Sequence, residues 1–250
     1  MSNFKIIKLN AIHSTNDYLK DKYRNKQLFD GDLVFTNNQT SGRGQRENNW
    51  QSETGKSLTF SIFRQFKNES PYSLFLISAV ISLAVVSALK KFQIPQTSIK
   101  WPNDILSANK KIGGILIENF FTKGKFSGCV IGIGLNLNQD SFVDLSEAAS
   151  LKQVTGKHWN IEYVLDKMLP FLNRALYETD LKKNQPWFSK YISKLWKLNQ
   201  LNSFTNGNNT FIAKLLGVTE KGGLLLETEE KNVKKFNSNN VRMQLKSNLL

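Results

Sequence analysis

The stretch from Lys100 to Glu118 carries the side chains best suited to chemistry in this chain. It reads KWPNDI, a brief polar stretch and KIGGILIE, so a Trp, an Asn, an Asp and lysines surround a glycine pair at the start of an apolar strand. A glycine pair lets the backbone approach a ligand closely, because no Cβ intervenes. Lys111 lies just before Gly113 and Gly114 and brings a positive charge to the same place, as a site for a carboxylate or phosphate requires. The segment therefore predicts an active site that handles anions.

The loop GRGQR is a second candidate for anion binding. Arg43 and Arg46 lie among two glycines, and guanidinium forks together with backbone amides can wrap an anion. The spacing is not that of a P-loop and no obvious helix follows, so the loop is not a Walker A site. Taken alone, such a pattern is more often just a flexible basic loop. Trp50 at its end offers either a flat surface for a purine or a buried anchor for the loop.

The predicted strand from Cys129 to Asn138 has one apolar face and one nearly bare face, because side chains two residues apart share a face. Gly132, Gly134 and Asn136 lie on the bare face. Interior glycines weaken a strand unless something approaches closely. Either a flat ligand lies over them with Asn136 at its edge, or a helix packs tightly on them. Cys129 lies on the apolar face and is predicted to be a buried hydrophobe.

Alternating strands and helices must position these segments. Apolar patterns predict strands at residues 4–9, 33–36, 57–64, 97–101, 111–119 and 125–138. A helix is predicted within HSTNDYLKDKY, where Ser14 and Asp17 form a candidate capping pair. Leu74 to Leu89 is interrupted by serines and shorter than the ~20 residues of a membrane span, so it predicts a buried helix that begins near Ser70 and Pro71. Two more helices are predicted over residues 162–179 and 186–198.

The composition changes near residue 200. The segment from Asn199 to Asn209 is rich in Asn, Ser and Thr, and short strands are predicted after it at residues 210–216, 223–228 and 232–236. We therefore predict a catalytic domain at residues 1–200 and a small β barrel at residues 201–250. No helix-turn-helix pattern precedes the first strand, so a fused DNA-binding domain is not expected.

The overall composition is that of a soluble globular protein, with 40% apolar and 22% charged residues among 250. The 34 basic and 20 acidic residues give a net charge of +14, which indicates an acidic partner, a nucleotide, a nucleic acid or only a solvated lysine-rich surface. The single cysteine excludes an intrachain disulfide and fits a reducing compartment. Since the N-terminus lacks a secretory signal pattern, a cytoplasmic location is expected.

As a set, these motifs resemble the biotin protein ligases, which attach biotin to a lysine of carboxylase carrier domains. The resemblance covers nearly the whole chain in the right order, through HSTND, QTSGRGQRENNW, KWPNDI, KIGGILIE, GIGLNLN and the terminal GVTEKGGLLLE. It implies an α+β fold with a mixed or antiparallel sheet and helices, like the catalytic domain of a class II synthetase. It also implies a small C-terminal SH3-like β barrel.

The resemblance implies roles for thirteen positions of this sequence. Biotin contacts would come from Ser14, Thr15, Asn16, Gln39, Arg43, Gly113, Gly114 and Lys111. ATP contacts would come from Arg46, Trp50, Asn103, Asn136 and Lys111, with Trp50 and Asn136 at adenine. The implied catalytic residues are Lys111, Arg43 and Asp104, and the resemblance gives no metal ligands.

Such enzymes first form biotinyl-5'-adenylate and pyrophosphate, and then transfer biotin to the acceptor lysine. Attack of a carboxylate on an α-phosphate brings two anions together, so cations are needed. Lys111, Arg43 and Mg²⁺ are expected to supply them. The acceptor lysine has a reference pKa of ~10.4 and is protonated at pH 7. Asp104 is a candidate acceptor of its proton, and a structural or lysine-orienting role is the alternative.

The loop departs from the family pattern at Gln45 and Glu47, where the family often has arginine and glycine. We therefore hypothesise that adenylate retention differs from that of the arginine-rich enzymes. The loop from Thr40 to Asn49 is expected to be mobile without ligand and to order when the adenylate forms.

Two other kinds of protein are alternatives. A lipoate ligase shares the architecture and the adenylation chemistry but usually carries a different loop and lysine context. A basic nucleic-acid-binding protein would lose affinity steeply with salt, yet aromatic residues are not interleaved with lysines in the predicted barrel. The expected partner is a biotin carboxyl carrier protein domain, without nucleic acid or membrane, and the chain is expected to be a monomer or a homodimer.

Overall fold

The computed structural model describes residues 3–46, 48–66, 71–182 and 186–245. Two predicted features, Glu47 of the loop and the helix start at Ser70, fall outside these residues. The helices are α1 Thr15–Arg24, α2 Leu74–Lys91, α3 Leu151–Thr155, α4 Ile161–Asn173 and α5 Trp187–Ile192, with a π-helical turn Arg174–Glu178 directly after α4. The strands are β1 Lys5–Leu9, β2 Asp32–Thr36, β3 Gly42–Arg43, β4 Asn49–Trp50, β5 Ser57–Gln65, β6 Thr97–Lys100, β7 Asp104–Ser107, β8 Lys110–Thr122, β9 Lys125–Asn136, β10 Leu201–Asn206, β11 Asn209–Val218, β12 Leu224–Thr228, β13 Val233–Phe236 and β14 Arg242–Met243.

The main sheet has seven strands in the order β1-β2-β5-β9-β8-β7-β6. β1 and β2 run parallel, and the other neighbouring pairs are antiparallel. This arrangement confirms the predicted α+β class with a mixed sheet. The sequence patterns missed β7 and α3, and they predicted a longer last helix than α5.

The two faces of the main sheet carry different helices. Alternate residues from Cys129 to Leu135 are buried in the large core with α2 and α4, whereas Val130 packs with Leu19 of α1 on the other face. This period of two follows from strand geometry, and it confirms the buried position predicted for Cys129. Gly132 and Gly134 lie on the α1 side, where they open space on the sheet.

Helix α2 begins at a different residue from the one predicted. Ser73 is extended and its side chain accepts a hydrogen bond from the Leu76 amide at 3.2 Å, so Ser73 is the N-cap. Lys90 and Lys91 lie in the last turn as predicted. Among the described helices, α2 is long and apolar enough to cross a membrane by length and composition, but 61% of it is buried within the protein. That burial is typical of a core helix.

The second sheet is antiparallel, in the order β13-β12-β11-β10-β14, and is consistent with a small barrel. Its first strand, β10, lies inside the Asn-rich segment, for which no strand was predicted. The sequence pattern did not reveal β10 because neighbouring groups satisfy its buried polar side chains. Asn202 donates to the Gln244 carbonyl oxygen at 2.8 Å and accepts from Lys197 Nζ at 2.8 Å.

The small sheet is fixed to the start of α2 and to the KWPND segment. Trp101 Nε1 donates to the Gly222 carbonyl oxygen at 3.0 Å, and Ser73 Oγ donates to the Glu220 carbonyl oxygen at 2.9 Å. Gly222 has a positive φ of 85°, and a Cβ there would lie 2.5 Å from Phe75 Cδ2. Only glycine allows this close contact. The contacts hold the turn between β11 and β12 against the start of α2 and the KWPND segment.

Candidate active site

A cavity of about 330 Å³ lies on the glycine-bearing face of the main sheet. Its walls come from the start of α1, the β3–β4 loop, the KWPND turn and the end of the small sheet. Most of the predicted site residues meet here, namely Ser14, Thr15, Asn16, Gln39, Arg43, Arg46, Trp50, Asn103, Asp104, Lys111 and Gly114. Segments far apart in sequence are therefore assembled into one site.

Gly113 and Asn136 are the predicted site residues that do not line the cavity. A Cβ at Gly113 would lie 2.5 Å from Leu135 Cδ2 and 2.8 Å from the Gly134 carbonyl oxygen, so this glycine allows close packing of neighbouring strands. The Asn136 side chain is buried and donates to the Ala149 carbonyl oxygen at 3.1 Å. Its Oδ1 accepts from Gln139 Nε2 at 3.3 Å. Protein groups, not the cavity, therefore surround both residues.

The helix-packing explanation for the bare face of β9 is correct at Gly132. A Cβ at Gly132 would lie 2.3 Å from Asn16 Oδ1, so the start of α1 packs on this glycine. A Cβ at Gly134 would lie 2.6 Å from Trp50 Cζ2, so the indole ring packs on the next one. Gly114 of β8 pairs with Gly134 of β9. Gly114 has room for a Cβ, because the nearest atom to that Cβ would be Trp50 Cζ3 at 3.6 Å.

The start of α1 is held by a buried network of hydrogen bonds. Ser14 is the N-cap of α1. The Thr15 amide and hydroxyl both lie within hydrogen-bond distance of Gln39 Oε1, at 2.9 and 3.2 Å. Ser61 Oγ of β5 lies 2.7 Å from Thr15 Oγ1 and 2.6 Å from Asn16 Oδ1. Ser61 is fully buried and was not predicted as a site residue. The network orders the polar end of the cavity before any ligand arrives.

Arg43 is anchored by Asp17, a residue that was predicted only as a capping partner. Arg43 Nη1 and Lys20 Nζ each lie 3.0 Å from Asp17 Oδ1, and Lys20 also bonds Glu118 at 2.7 Å. Partial burial raises the pKa of Asp17, but the hydrogen bonds and charges of Lys20 and Arg43 outweigh it and lower the pKa below its usual value. The alternating charges connect the β3–β4 loop to the main sheet.

Asp17→Asn is expected to free Arg43 and to increase trypsin cleavage after Arg43 by about fivefold, because an ion pair near the surface contributes up to ~1 kcal/mol. Limited proteolysis with mass spectrometry measures the rate. Asp21→Asn is the matched control, since Asp21 pairs with Arg24 on the exposed side of α1. Equal cleavage rates in both variants would show that Asp17 does not anchor the loop.

Asp104 lies between two lysines on the cavity wall. Its carboxylate is 2.6 Å from Lys111 Nζ and 3.1 Å from Lys100 Nζ. Burial raises the pKa of Asp104, but the charges and hydrogen bonds of Lys100 and Lys111 outweigh burial and lower the pKa below its usual value. A carboxylate held in its charged form by two cations is a weak proton acceptor. The geometry therefore favours the alternative in which Asp104 orients Lys111.

The lowered pKa of Asp104 predicts an acid-dependent loss of stability. The native state binds fewer protons than the unfolded state, so the stabilisation is complete above the unfolded pKa of ~3.9 and is lost as the pH falls through the lowered native pKa. The free energy of unfolding, measured by urea titration, is expected to fall more steeply between pH 5 and pH 2 in the wild type than in Asp104→Asn. Parallel curves would contradict this assignment.

The backbone of Lys111 is paired with a segment that follows β9. The Lys111 amide donates to the Glu147 carbonyl oxygen at 2.8 Å, and the Ala149 amide donates to the Lys111 carbonyl oxygen at 2.9 Å. These bonds fix the backbone of Lys111, and the ion pair with Asp104 fixes its ammonium group. No pattern in the sequence indicated that this segment reaches the site.

The small sheet supplies cavity residues that sequence analysis also missed. Ser238, Arg242 and Gln244 line the cavity, and Arg46 donates a hydrogen bond to the Ser238 carbonyl oxygen.

Trp50 Nε1 is buried and has no hydrogen-bond partner in the described part of the chain. The indole packs on Gly134 as an anchor of the loop. In the same described residues, no group of three or more His, Cys, Asp or Glu could hold a metal ion.

Comparison with known proteins agrees with this geometry. Residues 9–136 match the model of the biotin/lipoate A/B protein ligase family. The bifunctional ligase/repressor BirA of Bacillus spizizenii is 33% identical over 230 residues, or 88% of this chain and 68% of that protein. The biotin–[acetyl-CoA-carboxylase] ligase of Mycobacterium tuberculosis is 29% identical over 129 residues, or 50% of this chain and 47% of that protein. The structure of the biotin protein ligase from Aquifex aeolicus in complex with biotin and ATP aligns with a TM-score of 0.80 and 30% identity, over 96% of this chain and 98% of that one. The chain therefore belongs to the biotin/lipoate A/B protein ligase family.

Proposed function

We propose that this chain is a biotin protein ligase. It activates biotin with ATP as biotinyl-5'-adenylate and transfers the biotinyl group to a lysine of a biotin carboxyl carrier protein domain. The observation that carries the proposal is the cavity that joins Lys111, Arg43 and the polar start of α1 above the glycines of β9. The relative from Aquifex aeolicus, solved with biotin and ATP, aligns over nearly the whole chain.

The charges of the cavity suit the first step. Lys100, Lys111, Arg43, Arg46 and Arg242 line it, against Asp104 and Glu147 as the acidic residues among its described lining. In this step a carboxylate oxygen of biotin attacks the α-phosphorus, and pyrophosphate leaves with the electron pair of the broken P–O bond. Fixed cations stabilise the charge that collects between the two anions, and they need no reorganisation when the reaction occurs.

The polar network at the start of α1 suits the other end of biotin. The Gln39 amide, the hydroxyls of Ser14 and Thr15, and Asn16 line the cavity. They offer both donors and acceptors to a cyclic urea. Because Ser61 and backbone groups already hold these side chains, little conformational entropy is lost when biotin binds.

Mg²⁺ fits this cavity as a partner of ATP. Mg²⁺ is commonly held by one or two carboxylates together with substrate phosphates, and the described lining contains two carboxylates, of which Asp104 is engaged by Lys100 and Lys111. The phosphates of ATP would therefore supply most of the ligands. Bound in this way, Mg²⁺ would neutralise charge on the departing pyrophosphate.

The decisive experiment for the proposed function uses a purified biotin carboxyl carrier protein domain. Incubation with the chain, ATP, Mg²⁺ and biotin should add one biotinyl group to one lysine, detected by intact-mass and peptide mass spectrometry. Lipoate in a parallel reaction tests the rival ligase. Modification by lipoate alone would move the assignment to lipoate, and no modification by either acid would refute the proposed transfer.

Several properties stay predictions. A cytoplasmic location, the absence of nucleic-acid and membrane partners, and a monomeric or homodimeric state come from composition and resemblance. The altered adenylate retention that Gln45 and Glu47 suggest is also untested. A half-life of the bound adenylate equal to that of arginine-rich enzymes would count against it.

A further inference from the structure

Glu147 is an acidic residue of the cavity lining to which the proposed adenylate formation assigns no role, since the phosphates of ATP would supply most ligands of Mg²⁺. Asp104 and Glu147 are the acidic residues of the described cavity lining, and Asp104 is bound to two lysines. Within the described parts of the chain, the Glu147 carboxylate makes no hydrogen bond or ion pair. A half-buried carboxylate without a protein partner can accept a hydrogen bond from a cationic group that enters from outside the chain.

The position of Glu147 is fixed relative to Lys111. Its carbonyl oxygen accepts the Lys111 amide at 2.8 Å, and the next residue, Ala148, forms a β-bridge with Lys111. The residues before Glu147, from Ser141 to Ser146, are mostly exposed. Glu147 therefore lies where the outer surface meets the cavity, next to the residue proposed to hold the reacting carboxyl group.

The second reaction step needs a negative charge at such a place. The acceptor side chain arrives as an ammonium ion, since its reference pKa is ~10.4. The cationic lining that favours ATP repels it. A carboxylate at the rim offsets this repulsion and can fix the nitrogen by a charge-assisted hydrogen bond.

We propose that Glu147 forms a binding subsite for the primary ammonium group of the acceptor lysine. This inference rests on the proposed ligase function and extends it by naming the residue that selects and orients the nucleophile. After the ammonium gives its first proton to solvent at the open rim, the amine nitrogen attacks the biotinyl carbonyl carbon. The C–O bond to the phosphate breaks, AMP leaves with its electron pair, and the second proton is lost as the amide forms.

The test separates the two half-reactions in the full-length Glu147→Gln variant. With preformed biotinyl-5'-adenylate, transfer to the carrier domain at pH 7 is expected to fall about tenfold or more, since a hydrogen bond to a charged group is lost. Hydroxylamine, which is uncharged at pH 7, should consume the adenylate at the wild-type rate. Biotin-dependent pyrophosphate exchange should also be unchanged. Asp144→Asn is the matched control, because Asp144 is exposed in the same rim segment, and it should transfer biotin like the wild type.

Three results would overturn the inference. Unchanged transfer in Glu147→Gln would remove any role for the carboxylate. An equal loss of transfer and of hydroxylamine reaction would show that Glu147 acts on the adenylate or on the fold. A change in the Mg²⁺ dependence of pyrophosphate exchange would show that it binds the metal. If the wild type itself shows no biotin-dependent exchange, the proposed function fails first, so the two failures are distinct.

Discussion

Lys111→Ala is expected to reduce biotin-dependent pyrophosphate exchange by about 100- to 1000-fold, the usual effect of removing one fixed group that stabilises transition-state charge. Lys111 lines the cavity, and its ammonium group lies 2.6 Å from Asp104 Oδ1. Its backbone is paired on both sides with the segment that ends at Ala149. The side chain is thus held in the cavity wall, where we propose that the two anions meet. Initial rates of label incorporation into ATP measure the effect.

Lys110→Ala is the matched control for this variant. Lys110 is the preceding residue of β8 and has the same charge, but its exposed side chain bonds the Ser146 carbonyl oxygen at 2.6 Å. Exchange in Lys110→Ala should stay within about twofold of the wild type, since surface substitutions have small effects. A Lys111→Ala variant that retained more than a tenth of the wild-type rate would show that Lys111 does not stabilise the reacting phosphate.

Gly132→Ala is expected to lower the free energy of unfolding by about 1–3 kcal/mol and to weaken biotin binding. The new Cβ would lie 2.3 Å from Asn16 Oδ1. Asn16 cannot rotate away without cost, because Ser61 holds its oxygen at 2.6 Å and Glu118 accepts from its nitrogen at 2.8 Å. The start of α1 must therefore move away from the sheet. Urea unfolding and calorimetric titration with biotin measure the two effects.

Gly114→Ala provides the comparison for stability. A Cβ at Gly114 would have Trp50 Cζ3 as its nearest neighbour at 3.6 Å, an ordinary contact. Its free energy of unfolding should match that of the wild type, although the methyl group enters the cavity. If Gly132→Ala were as stable as Gly114→Ala, the close packing of α1 on β9 would be incorrect.

The sequence predicted the fold where the hydrophobic periodicity and the residues that begin or end strands and helices indicate the same elements. The alternation in β9 predicted which residues enter the core and that Gly132 and Gly134 face the cavity, but Asn136 on the same face is buried against protein groups. β10 was missed because its buried Asn202 and Ser203 look like loop residues until hydrogen bonds to other segments satisfy them. β7 was missed because its four residues follow directly on the KWPN turn, and pairing with β6 and β8 stabilises so short a strand.

Site residues that belong to local sequence motifs could be predicted. Site contacts between segments distant in sequence could not. Eleven predicted residues meet in one cavity, because each belongs to a motif with a local pattern. The pairing of Asp17 with Arg43 joins a helix to a loop, and the bond from Arg46 to the Ser238 carbonyl oxygen joins residues 192 positions apart. Nothing in the local sequence marks such partners.

Biotin-dependent exchange of labelled pyrophosphate into ATP tests the central claim most directly, because it requires reversible adenylate formation and no carrier domain. The purified chain should catalyse exchange with biotin and Mg²⁺ and should show none with lipoate in its place. Exchange with lipoate but not biotin, or with neither acid, would contradict the conclusion that this cavity activates biotin.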